Sequence, residues 1–147
     1  MRREAAERLA RAGEDGAAAA AALLEALDDE DSEVRDWTVA ALEGLGKPPY
    51  DEAGRIAQML SHPRLDVVYW AATLLGRLGT QASDWSAQVA VLLDDHPDVV
   101  VRRRAAWALA RIGSTSKEVV DALRRAAKEP EPALVRAATD ALRTLEG

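Results

Sequence analysis

The sequence predicts an all-α fold of helical hairpins stacked in series, and three observations predict it. The first is a period. An apolar frame at positions 0, +4, +8 and +11 recurs from anchors Met1, Val34, Val67, Val101 and Leu134, in steps of 33, 33, 34 and 33. At about 100° per residue those four positions fall within roughly 80° of one another, so each copy is one buried helical stripe. The second is composition. Alanine and leucine dominate the 147 residues, hydrophobic content is 48%, and there is no Phe, which favours helix over sheet. The third is punctuation. Gly13, Gly46, Gly79 and Gly113 stand at +12 of the first four copies, where a left-handed residue closes a helix and glycine suits best.

In chain order, the five long segments (B helices) alternate with four shorter ones (A helices). The A helices repeat as Leu23/Ala26/Leu27, Ile56/Met59/Leu60, Val89/Leu92/Leu93 and Leu123/Ala126/Ala127, each beginning 22 residues after a B anchor. The single extra residue therefore lies in the turn Asp94-Asp95-His96-Pro97, where it disturbs neither helical register. Pro63, Pro97 and Pro130 each sit four residues before a B anchor and end the A helix, and Pro48-Pro49 forms a stiff connector. Asp51, Ser83 and Ser116 are expected to cap A helices. A lone hairpin cannot bury its stripe, so the units must stack. The organisation expected is one domain, 1–147: a half-repeat over 1–13, then repeats over about 14–46, 47–79, 80–113 and 114–147.

Val101–Gly113, with V-R-x-x-A-x-x-A-L-x-x-I-G, and Val34–Gly46 (VRDWTVAALEGLG) resemble HEAT repeats. The short period is similar to the HEAT-like subgroup of phycobilin lyases and artificial binding scaffolds, an armadillo-like α-solenoid. The resemblance implies a right-handed solenoid of four hairpins plus the half-repeat, used as a binding platform with the B helices on its concave side. It also implies an Asp-to-Arg ladder. Arg35 and Arg102 keep the Arg position, with Asp29 and His96 six residues earlier, whereas Val68 and Val135 interrupt the series.

On the B helices, positions +2, +3, +6 and +10 form an arc facing away from the core. That arc carries three of the four Trp, one Tyr and several Arg, the side chains enriched where proteins bind partners. The expected partner-binding residues are Trp37, Tyr69, Trp70, Arg77, Arg103, Arg104, Trp107 and Arg111. With acidic residues toward the N-terminal side and arginines toward the middle and C-terminal side, they suit a protein or peptide with acidic and apolar residues. The structural alternative is that Trp37 and Trp70, at +3, fill gaps between Ala-rich B helices, and that the arginines are a solvated face.

Other functions find less support. The net charge of −6 argues against nucleic acid, and no apolar run approaches the ~20 residues that cross a membrane. The absence of Cys fits a cytoplasmic protein, and a monomer or weak homodimer is expected. There is no Cys nucleophile, no G-x-S-x-G, no phosphate-cradling Gly loop and no HExxH, so catalysis finds little support and no cofactor is expected. His62 and His96 precede Pro at equivalent turns and read as turn residues rather than metal ligands. By family resemblance alone, Asp36, Trp37, Trp70, Arg103, Arg104 and Trp107 supply the residue types of HEAT-like alkylpurine DNA glycosylases, and a bilin-lyase-like role is the other analogy. The frame itself makes a prediction: Leu109→Ala, at +8 of the fourth copy, should cost about 2–5 kcal/mol in denaturant melts, and a neutral result would refute the register.

Overall fold

The computed structural model describes residues 2–147. Among them are nine α-helices and no strands. The predicted B helices are α1 (Arg2–Ala12), α3 (Ser32–Gly44), α5 (Leu65–Leu78), α7 (Val99–Ile112) and α9 (Pro132–Glu146). The A helices are α2 (Ala20–Ala26), α4 (Ala53–Gln58), α6 (Ser86–Asp95) and α8 (Lys117–Ala126). Short 3-10 segments over Gly13–Ala19, Tyr50–Glu52 and Gly79–Trp85 lead into α2, α4 and α6.

Two kinds of local chemistry set these boundaries. Gly13, Gly46, Gly79 and Gly113 have φ of 57°, 71°, 62° and 78°, and among the described residues no side-chain-bearing residue has a positive φ. Each B helix before the last thus ends through a left-handed residue, which a Cβ would strain. The entries to α3, α7 and α9 are capped by acids: Asp31 accepts from the Glu33 N–H, Asp98 from the Val100 and Val101 N–H groups, and Glu131 from the Ala133 N–H. Two residues earlier in the first three A–B turns, a second acceptor holds the chain. Asp29 Oδ1, His62 Nδ1 and His96 Nδ1 accept from the backbone N–H two residues on, at 2.9, 3.0 and 3.0 Å. The histidines therefore do in their turns what an aspartate does in the first. Of the expected A-helix caps, only Ser116 serves, accepting from the Val119 N–H at 3.4 Å. Asp51 and Ser83 lie inside the 3-10 segments, which postpone the helix starts to Ala53 and Ser86.

By its internal contacts the chain divides into two compact units, Met1–Leu74 and Leu75–Gly147, the dividing residues lying within α5. In the first, α1 packs on α3, and α2 on α3 and α4. In the second, α6 packs on α7 and α8, α7 on α9, and α8 on α9. Within each unit, then, B packs on the next B and A on the next A. All four frame positions of α3, α5 and α7 are buried: Val34/Thr38/Leu42 with Leu45, Val67/Ala71/Leu75/Leu78, and Val101/Ala105/Leu109/Ile112. The terminal helices depart from the frame. In α1, Ala5 and Ala12 are exposed, Leu9 is half-buried and Ala6 is buried instead. In α9, Leu142 and Leu145 are only half-buried. The frame presumes neighbours on both sides of a helix, and a terminal helix has fewer.

Ion pairs tie successive turns. Arg2 Nε lies 3.3 Å from Asp29 Oδ2. At the same repeat position, Arg102 forms a two-pronged pair with Glu129, also 27 residues on, and donates Nε–H to the Leu93 carbonyl at 2.6 Å. Its guanidinium holds the Glu129 carboxyl below the usual carboxylate range. The expected partners six residues earlier are only partly found. Arg35 reaches the Asp29 backbone carbonyl at 2.7 Å rather than its carboxylate, and Arg102 bypasses His96. Val68, buried in α5, interrupts the series. For the turns, His96→Ala should lose about 1 kcal/mol by orphaning the Asp98 N–H, and His96→Asn should restore it. Equal melting of the two variants would show that the acceptor is idle.

Candidate functional site

The clearest site stands on α7. Its buried side, Val101, Ala105, Ala108, Leu109 and Ile112, faces the packed helices, and Arg102 is drawn to Glu129 and the Leu93 carbonyl. The opposite side presents Val100, Arg103, Arg104, Trp107 and Arg111. The Arg104 guanidinium lies 4.5 Å from the centroid of the Trp107 ring, and that of Arg111 lies 5.7 Å from it. Both are within cation–π reach, which a half-buried indole strengthens relative to a fully wet one.

The ring is seated on glycine. A methyl group at Gly76 of α5 would overlap Trp107, with Cη2 at 3.0 Å and Cε3 at 3.1 Å. Gly76 is buried in the last turn of α5, where glycine costs roughly 0.5–1 kcal/mol relative to alanine. Sequence reasoning missed it, although a glycine within an otherwise apolar helix was the available signal. Arg103 and Arg111 are exposed, and among the described residues no ion pair engages either one. α7 carries four arginines and no acid between Val99 and Ile112. Arg77, in the last turn of α5, is half-buried.

In the first unit the aromatic residues are arranged differently. Trp37 on α3 is half-buried, and Arg11 of α1 lies 5.9 Å from its ring centroid while also pairing with Glu7 at 2.6 Å. Trp37 thus meets the neighbouring B helix, as position +3 allows. Tyr69 and Trp70, both half-buried, meet edge to face with centroids 5.8 Å apart and planes at 84°. Thr73, at +6 of α5, falls outside the exposed arc. It is buried and donates its hydroxyl to the Tyr69 carbonyl at 2.8 Å, because most of the surface of α5 is enclosed. The structure therefore gathers Arg104, Trp107 and Arg111 at one point, pairs Tyr69 with Trp70, and gives Trp37 to Arg11. Among the described residues no three His, Asp or Glu side chains could share a metal ion, and no helix is long and apolar enough to cross a membrane.

Comparison with known proteins places this geometry in context. The sequence profile of the family described as HEAT repeats matches residues 52–143, more than half of the chain. No curated protein sequence matches. Among solved structures, an engineered protein superposes with a TM-score of 0.65 at 22% identity, covering 97% of this chain and 72% of its own. A designed armadillo repeat protein in complex with the peptide (KR)4 gives 0.64 at 18% identity, covering 96% and 72%. Human deoxyhypusine hydroxylase, in complex with glycerol, gives 0.62 at 26% identity, covering 86% of this chain and 43% of the enzyme. The fold class is thus that of the helical repeat solenoids.

The seat of Trp107 yields a signed prediction. Gly76→Ala should destabilise the protein by about 1–3 kcal/mol, against its helix propensity, because the methyl group displaces the ring. In a Trp107→Ala background the same change should stabilise by roughly 0.5–1 kcal/mol. Denaturant melts of this double-mutant cycle that showed simple additivity would refute the contact.

Proposed function

The chain belongs to the HEAT repeat family, and from that premise we propose that it is a non-catalytic scaffold binding a protein or peptide through the outward faces of its B helices. The observation that carries this reading is the α7 cluster: Trp107 seated on Gly76, two guanidinium groups beside its ring, and Arg103 and Arg111 without an acidic partner among the described residues. Half-buried Trp beside Arg is the composition of an interaction hot spot, where the indole supplies rigid contact area and the guanidinium orients a carboxylate. Tyr69 with Trp70, and Trp37, offer further aromatic contacts on α5 and α3. The partner that suits these side chains carries acidic and apolar residues. Peptide binding is also the use to which the designed armadillo neighbour is put, although its peptide is basic. The opposite sign is proposed here because Arg103 and Arg111 on α7 carry no ion pair among the described residues.

The test is fluorescence anisotropy with three labelled probes: a Glu/Leu peptide, the peptide (KR)4 and a short DNA duplex. The Glu/Leu peptide should bind best, and Trp107→Ala should weaken it by about 2 kcal/mol or more while the variant still melts cooperatively. Preference for (KR)4 would reverse the sign of the partner. Tight, steeply salt-dependent binding of duplex would replace the peptide reading with a nucleic-acid one.

A further inference from the structure

Resting on that reading, we propose that α7 alone forms the recognition strip, and that its partner is an amphipathic α-helix lying alongside it, with apolar and acidic residues alternating along one face. The strip is Val100, Arg103/Arg104, Trp107 and Arg111. At about 100° per residue these five side chains fall within roughly 100° of arc, centred opposite the buried stripe. Val100 is 49% exposed, an apolar surface at the N-terminal end of the strip. From it the strip runs apolar, cationic, aromatic, cationic.

The magnitudes decide the partner's conformation. At about 1.5 Å per residue, Arg104, Trp107 and Arg111 lie about 6, 10.5 and 16.5 Å along the axis from Val100. An extended peptide presents same-side residues every ~6.6 Å, so its fourth would fall near 20 Å, about 3.5 Å out of register. A helix presenting positions i, i+4, i+7 and i+11 shares the rise of α7 and stays in register along the whole strip. Such a helix would set an apolar residue on Val100, an acid at Arg103 and Arg104, an apolar residue on Trp107 and an acid at Arg111. Charge complementarity selects acids at the second and fourth places, since Arg103 and Arg111 carry no ion pair among the described residues and α7 has no acid of its own. Arg102 is excluded from the strip by its pair with Glu129.

Two peptides of identical composition test this by anisotropy against the full chain. One places Leu at i and i+7 and Glu at i+4 and i+11 on an alanine-rich helix; the other rearranges the same residues to alternate every second position. The helical-period peptide should bind at least tenfold tighter and gain helicity by circular dichroism on binding. Arg103→Glu/Arg111→Glu should weaken it at least tenfold, and replacing both peptide Glu by Lys should restore binding to that variant. Arg103→Gln/Arg111→Gln serves where charge reversal perturbs folding, with loss of affinity again expected. Equal affinity for the two peptides, or indifference to both double variants, would overturn the strip while leaving a peptide-binding scaffold in place. If neither peptide nor the Glu/Leu probe binds the wild type, the scaffold reading fails with it.

Discussion

A helix of a dozen residues with a narrow apolar stripe gains little by folding alone, and even a hairpin of two such helices leaves much of both stripes wet. Everything here depends on stacking one hairpin against the next in constant register. The period of 33 residues, with one 34, supplies that register. B helices then meet B helices and A helices meet A helices within each unit. The left-handed glycines enforce it, because each B helix before the last must stop at the same residue of its repeat for the following A helix to start in phase. The inserted residue falls in a turn, where it changes path length and not phase.

The same stacking sorts the arginines of α7 into two kinds. Arg102 sits at the edge of the packed layer, where Glu129 and the Leu93 carbonyl absorb its donors, so its charge is spent on holding consecutive turns together. Arg103, Arg104 and Arg111 stand on the other side of the helix, Arg104 and Arg111 beside an indole that is half-buried yet accessible. A Trp in that setting is both packing and surface. Its edge fills the space that Gly76 leaves, which fixes the ring, and the remaining area stays available to a partner without further loss of side-chain freedom. Structure and binding are thus two uses of one contact, and treating Trp107 as either core or site divides what the packing joins.

Much of this was legible in the residues. The frame named the buried positions of α3, α5 and α7, and the glycines and prolines named the helix ends, because both follow from helix periodicity and backbone sterics, which are local. The terminal helices escaped the frame: Ala5 and Ala12 are exposed where burial was expected, since burial depends on what lies on the far side of a helix. The place of His62 and His96 before proline marks them as turn residues, but their equivalence to Asp29 lies in the shared N–H···acceptor geometry. The expected caps Asp51 and Ser83 failed because 3-10 segments took the positions where helix was expected to begin.

What the sequence determined by itself was therefore the repeat: its period, its helices, their closing glycines and the stripe each one buries. These are properties of residues within a dozen positions of one another, and the backbone reads them without help. Only the tertiary structure decided which outward side chains are occupied and which stand ready. Arg102 and Arg103 are neighbours in sequence and alike in chemistry, yet one is committed to a carboxylate 27 residues away and the other is exposed. Gly76 and Trp107 are likewise unremarked until the last turn of α5 meets α7, because a contact across 31 positions leaves no periodic trace in the chain.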